Sequence, residues 1–259
     1  MAVREFSNAT DDDIIFSTGA LSGLQYGTVA AIIKRTSVSN YRPIFNPHNA
    51  AGTALGSFLL WQSGNVLTWF ELPSRSSDAT SLTANVWYLV VVRKAQGTAT
   101  PRFSLYNFTS GIWTHQAGAS PMTDWTSPGT DGSIRFTYET ETDNLDGRIA
   151  ARAAWANALP WSADGAGDTA LEAAGLETSL QNWLTSDPSA LWAFNQSSIA
   201  TPVSDLTGSG ANQTSIVGTT VVNGDDPPGF AFDASRWRRG DGTILRPFLK
   251  TSGILVELQ

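Results

Sequence analysis

Val86-Trp87-Tyr88-Leu89-Val90-Val91-Val92-Arg93 is the stretch on which the fold of this chain turns. Six consecutive apolar residues, Trp87 to Val92, are too few to cross a bilayer, which takes about 20. All but Leu89 are β-branched or aromatic, the side chains that suit a pleated surface. The stretch reads as a buried strand, and its alternation assigns Trp87, Leu89 and Val91 to a sandwich core.

Working outward, similar short runs recur on both sides. Phe6, Ile14 to Phe16, Val29 to Ile33, Phe58 to Trp61 and Val66 to Phe70 precede it; Arg102 to Tyr106 and Ile134 to Tyr138 follow. Gly, Ser, Asn, Asp and Pro clusters bound these runs, the strand-and-turn rhythm of a sandwich or barrel. Ser63-Gly64-Asn65 is placed to turn a hairpin. Helical periodicity appears once, over 168–186. Asp168 can cap it, Leu176, Leu180, Trp183 and Leu184 repeat at helical spacing, and Gly175 splits it into two short helices. Asp187-Pro188 ends the segment, because a residue before proline avoids the helical region.

A stretch rich in Ser, Thr, Gly and Asn follows over 195–230, with Ile216-Val217 and Val221-Val222 as its only strand seeds. It ends at Pro227-Pro228-Gly229-Phe230. Residues 231–259 carry five basic and three acidic side chains, a net +2 on a chain whose formal charge is −7, so the preceding 230 residues carry −9. The expected partition is one globular domain, 1–230, and a C-terminal docking arm, 231–259. In that arm Arg236, Arg238 and Arg239 supply charge, and Ile254, Val256 and Leu258 alternate as on a strand with one buried face.

Two motifs resemble a known family. Val86 to Arg93 resembles the central strand of laminin-G-like, concanavalin-A-like jelly-roll domains. Leu145-Asp146-Gly147-Arg148-Ile149-Ala150 through Trp155, followed by Ala158-Leu159 and a short helix, resembles their last core strand and its closing elements. The resemblance covers roughly 1–195. It implies two antiparallel sheets packed face to face, an all-β sandwich with one or two short helices near 168–186. On the same strand motifs Ile149, Ala151 and Trp155 are expected in the core with Trp87, Leu89 and Val91. The closing segment that ends in Pro-Pro-Gly-Phe resembles domains of tailed-phage minor tail and head-decorating proteins. Scarce lysine, only Lys34, Lys94 and Lys250, fits a high-GC source.

Composition narrows the chemistry. With no cysteine there can be no disulfide, thiolate zinc site, iron–sulfur cluster or cysteine nucleophile. A pI near 4.7 opposes nucleic-acid binding, which needs clustered Lys and Arg. No signal-peptide pattern is visible at the start. Glu139, Glu141 and Asp143 share a strand face on paper, at the spacing glycosidases use, but their order differs from that of laminarinase-type jelly-roll enzymes, and a solvated loop is the better reading. Asp11-Asp12-Asp13 and Asp143-Asn144 with Asp146 are the places to look for calcium, a hard cation that takes oxygen ligands. His48 and His115 are too few for a His-rich metal site, and no Gly-x-Ser-x-Gly elbow marks a hydrolase triad. Trp113 and Trp125, in a turn-rich stretch, are the candidate exposed pair for a glycan or a partner.

These readings lead to a non-enzymatic phage virion protein, a minor tail or capsid decoration protein, with no cofactor unless calcium. Its expected partners are other virion subunits, copies of itself as a homo-oligomer or in many copies per particle, and a host-surface glycan; neither nucleic acid nor membrane is among them. A lectin-like carbohydrate-binding module is the first alternative and a glycoside hydrolase the second.

Overall fold

The computed structural model describes residues 2–7, 12–36, 42–55, 57–62, 66–70, 75–136, 145–160, 168–196 and 198–232, with short strand pieces beyond them. Two antiparallel sheets make an all-β jelly-roll sandwich. The eight-stranded sheet runs in the order β10 (Ile112–Ala117), β9 (Arg102–Asn107), β8 (Trp87–Lys94), β3 (Gly27–Arg35), β12 (Gly147–Trp155), β1 (Ala2–Phe6) and β15 (Thr220–Asn223), while β13 (Ala190–Ala193) also pairs with β12. The seven-stranded sheet runs β14 (Gln213–Val217), β2 (Asp13–Ser17), β11 (Ser133–Arg135), β4 (Arg42–His48), β5 (Ser57–Gln62), β6 (Val66–Phe70) and β7 (Arg75–Ser81). Gln62 pairs with Val66, so the expected hairpin is present, although its turn residues lie outside the described ones. The two strand seeds of 195–230 become β14 and β15, each an edge of a different sheet. That segment therefore closes both sheets.

The expected pair of helices is present, with the expected cap at Asp168 and a second cap, at Ser179, that the sequence reading did not assign. Asp168 accepts from the Leu171 amide ahead of α1 (Thr169–Ala173). Gly175 breaks the segment at φ +60, and Ser179 accepts from the Asn182 amide ahead of α2 (Leu180–Thr185). A side-chain oxygen on an otherwise orphaned amide is what starts each short helix here.

Packing departs from expectation. The core between the sheets takes Tyr88, Val90 and Val92 from β8 and Val29, Ala31 and Ile33 from β3, facing Phe16, Phe45, Leu67, Trp69 and Ile134. Trp87, Leu89 and Val91 point the other way, into a second core. There Leu171, Leu176, Leu180, Trp183, Phe230 and Phe232 cover the outer face of the eight-stranded sheet. β12 shows why a simple alternation fails. Its register shifts between Ile149 and Ala151, so Ile149 stays in the inner core while Ala150, Ala151, Ala153 and Trp155 turn outward. A bulge inserts one residue and reverses the side-chain phase beyond it. Of the six residues expected in the sandwich core, Ile149 alone is there; Trp87, Leu89, Val91, Ala151 and Trp155 belong to the outer layer.

The bulge also sends Arg152 inward. Its guanidinium is fully buried, 4.0 Å from the Phe136 ring centroid, 4.6 Å from Trp192 and 4.8 Å from Phe16. It donates to the Ile44 carbonyl at 3.2 Å, while Nε and Nη2 find no acceptor. Burial pushes its pKa well below the ordinary value, against the charge of Asp13.

Body packing continues past the expected boundary at residue 230. Ala231 exchanges backbone bonds with Thr178 and Leu180, at 2.9 and 3.0 Å, and Phe232 is buried. Further on, β16 (Trp237–Arg238) pairs with β17 (Ile244–Leu245) and lies beside α2. β18 (Leu249–Thr251) pairs with β19 (Ile254–Val256) as a hairpin. Among the described residues no helix is long and apolar enough to cross a membrane.

Candidate functional site

Trp113 stands on β10, the terminal strand of the eight-stranded sheet. Strand alternation puts Trp113 and His115 on one face, where their rings stack at 5.6 Å and 13°. Tyr106 from β9 supports Trp113 at 5.3 Å and meets Phe108 edge-on at 5.2 Å. Trp113 is half-buried against the outer core, so part of its ring stays in solvent. On the other face of β10, Ile112 is 61% exposed.

A run of polar contacts fixes this platform. His115 meets Ser104 Oγ through Nδ1 at 2.8 Å and Glu172 Oε1 through Nε2 at 2.9 Å. Ser104 Oγ accepts from Arg93 Nη2 at 2.9 Å, and Arg93 also donates to the Pro160 carbonyl and pairs with Asp168. Burial lowers the Arg93 pKa, and the hydrogen bond and charge of Asp168 oppose the shift. One tautomer satisfies every bond: Arg93 donates to Ser104, Ser104 donates to His115 Nδ1, and His115 Nε2–H donates to Glu172. Serine, histidine and a carboxylate are the residue types of a hydrolase triad. Here, however, Ser104 is fully buried and its oxygen already accepts from a cation. A nucleophile must be reachable, so this arrangement reads as a strut between α1 and the sheet edge.

A second surface lies at the C-terminal end of β12. Two adjoining depressions, about 390 and 260 Å³, share Asp187 and Ser189. Thr207, Gly208 and Ser209 line the larger one, and Asn157, Leu159 and Pro160 line the smaller. Asp205 shapes the first of these loops. Its carboxylate accepts from the amides of Leu191, Thr207 and Ser209 and from the hydroxyls of Thr207 and Ser209, at 2.6–3.1 Å.

Of the residues singled out in the sequence, Trp113 sits on the exposed platform, but Trp125 does not. It is 2% exposed and stacks on Trp69 at 5.0 Å. Gln25 fixes its backbone from both sides, through the Gln25 carbonyl at 3.0 Å and its side-chain amide at 2.8 Å. A turn-rich neighbourhood thus carries a core residue. Arg236, Arg239 and Leu258 lie outside the described residues. Arg238, Ile254 and Val256 fall on the short strands β16 and β19, where only the backbone is described. Glu139, Glu141, Asp143 and Asn144 also lie outside, as does Asp11. Asp12 accepts from the Ser7 amide and Asp13 from the Phe136 amide. Among the described residues no three His, Cys, Asp or Glu side chains gather as a metal ion needs. Sequence reasoning missed Glu172, Asn157 and Asp187, which carry no motif. It also left His115 unused, since a lone histidine on a polar strand signals nothing by itself.

No protein-family model and no curated protein matches this chain. Solved structures do. A "putative carbohydrate binding protein" from Bacteroides ovatus aligns over 88% of this chain and 61% of its own, with a TM-score of 0.56 and 15% identity. The chain therefore spans less than two thirds of that structure. The heptameric SAP-like pentraxin of Limulus polyphemus aligns over 61% of this chain and 77% of its own, with a TM-score of 0.37 and 16% identity. Tailspike protein 2 of Escherichia coli O157:H7 bacteriophage CAB120 aligns over 58% of this chain and 22% of its own, with a TM-score of 0.37 and 16% identity. At 15% identity the first of these likenesses shows a shared fold alone, in agreement with the two-sheet jelly-roll described above.

Proposed function

We propose that this chain is a non-catalytic, glycan-binding jelly-roll module. The observation that carries the reading is the Trp113 platform: a partly exposed indole, backed by Tyr106 and His115, beside a carboxylate. A sugar ring offers an apolar C–H face that can stack on an indole, and hydroxyls that seek planar polar partners. Glu172 uses Oε1 for His115, and among the described residues Oε2 has no partner, so a hydroxyl beside the stacked ring can donate to it. The carbohydrate-binding description of the Bacteroides ovatus structure agrees with this reading. A glycan array probed with the full chain tests it. Trp113→Ala should weaken the strongest signal about tenfold or more, a loss of about 1.4 kcal/mol. An array with no bound glycan, or equal binding by the variant, would overturn the reading.

One observation favours a second layer to this function. The basic balance of 231–259, on an otherwise acidic chain, suits docking against an acidic neighbour, and the closing segment resembles phage tail and head-decorating proteins. The module is then displayed on a virion, in many copies, through that arm. Peptides of this chain in purified particles would support the assignment. Their absence from particles, with the chain abundant in the lysate, would remove it.

A further inference from the structure

We infer that the two-lobed cleft around Asp187 is a second binding site, distinct from the Trp113 platform, for a neutral sugar that presents adjacent hydroxyls. The inference rests on the glycan-binding reading and adds a place and a ligand chemistry to it.

Asp187 occupies a position that does not suit it. Its amide donates to the Leu184 carbonyl at 3.1 Å, closing the last turn of α2, with φ at +55. Helices close this way most readily on glycine, which reaches positive φ without a Cβ penalty. Pro188 narrows the backbone of Asp187 further. The fold would accept glycine here, yet the chain carries a carboxylate. That carboxylate is exposed and accepts no hydrogen bond among the described residues. Strain held at a cleft is a pointer to function.

The lining defines what could bind. Asp187 stands where the two depressions meet, and among the described residues it is the only charged one lining either of them. Asn157, in the smaller lobe, is exposed, and among the described residues its side-chain amide has no hydrogen-bond partner, so it can donate as well as accept. Ser189 Oγ, shared by both lobes, accepts from the Ala156 amide and keeps its proton to donate. Leu159 and Pro160 give the smaller lobe an apolar wall. Among the described residues no cation lines the cleft, so they offer little to a phosphate, sulfate or carboxylate ligand. A carboxylate takes two hydroxyl donors, and an amide beside it both gives and accepts. Vicinal sugar hydroxyls match that set.

The test is a titration of the isotope-labelled full chain with methyl glycosides of glucose, galactose, mannose and N-acetylglucosamine, followed by amide chemical shifts. At least one glycoside should shift the amides of Ser186, Asp187 and Ser189 and of 207–209, separately from those of 112–116. Asp187→Asn should weaken the cleft response about tenfold, since a charge-assisted bond becomes a neutral one. Asp187→Gly should abolish that response while melting at or above the wild-type temperature. Cleft shifts unchanged in Asp187→Asn would overturn the assignment, as would an Asp187→Gly protein that melts lower, because Asp187 would then serve the fold. Glucosamine shifting the cleft where the neutral glycosides do not would overturn the ligand class. Shifts confined to 112–116 would overturn the cleft and leave the platform reading intact. Cleft shifts alone, with 112–116 silent, would do the reverse.

Discussion

Both faces of β8 are buried, but by different means. Inward, Tyr88, Val90 and Val92 meet the side chains of a second sheet. Outward, Trp87, Leu89 and Val91 meet two short helices and the aromatic pair Phe230 and Phe232. Sheet against sheet leaves a layer about 10 Å thick, which branched and aromatic side chains fill from both sides. On its outer face β12 carries the small side chains of Ala150, Ala151 and Ala153, in one buried cluster with Leu171, Leu180 and Trp183 of the helices. The outer layer is then tied by rings in sequence: Trp155 to Trp183 at 6.3 Å, Trp183 to Phe230 at 6.2 Å, Phe230 to Phe232 at 4.7 Å. The eight-stranded sheet is therefore the middle layer of three.

If the outer layer is a true core, breaking it should cost as much as breaking the inner one. Trp183→Ala should destabilise the protein by about 3–5 kcal/mol, the range for large aromatic truncations in cores. Trp87→Ala, on the sheet side of the same layer, should fall in that range too. The measurement is chemical denaturation with far-ultraviolet and tryptophan signals followed together. A Trp183→Ala protein with an unshifted transition would show that the helices decorate the sandwich without joining its cooperative unit.

The inner core carries its own irregularity. Arg152 sits among rings with Nε and Nη2 unsatisfied, and each buried unsatisfied donor costs about 1–3 kcal/mol. Replacing a buried cation with an apolar side chain of similar volume is often neutral or stabilising. Arg152→Met is thus expected to raise stability by about 1–3 kcal/mol, less than the loss from Trp183→Ala and of opposite sign. Asp13 keeps its bond from the Phe136 amide in that variant. A loss of several kcal/mol would instead mean that the contacts with the Phe16, Phe45, Phe136 and Trp192 rings and the Asp13 charge outweigh the missing bonds.

How much of this was legible differs by layer. The strands with β-branched, leucine or aromatic runs, β2, β3, β5, β6, β8 and β9, announce themselves, and so do both helices and the break at Gly175. β4 does not, because Pro43 and Pro47 argue against a strand, and β7 reads Arg75-Ser-Ser-Asp-Ala-Thr-Ser81, a turn-like composition. The facing of β8 was partly legible. A strand with one wet face alternates, whereas Trp87 to Val92 is apolar throughout, which already signals two dry faces. The bulge in β12 was not legible, since Ile149-Ala150-Ala151 offers no residue that marks it. For the site, Trp113 could be found by its type. Asp187 could not, because only the observed φ separates a strained carboxylate from an ordinary helix end.

The smallest expected effect concerns the edge where the outer layer's tail is latched. Asp225 follows β15 and precedes the Phe230–Phe232 cover. Lys34 donates to it at 2.8 Å, Arg148 bonds it, and Trp87 Nε1 reaches it at 3.4 Å, while Glu5 takes the other side of Arg148 at 2.9 Å. Burial alone would raise the Asp225 pKa, but the hydrogen bonds and charges of Lys34 and Arg148 prevail and hold it below its ordinary 3.8. A carboxylate whose folded pKa is depressed adds stability above its unfolded value and loses it as pH falls through the folded value. Asp225→Asn should therefore melt below wild type at neutral pH, by an amount worth about 1 kcal/mol or less for a group this exposed. The gap should begin to close as pH drops through about 4 and vanish in stronger acid. Melting curves of the two proteins across that range decide it. A gap that stays constant down to the lowest pH would show that the latch owes nothing to the charge on Asp225.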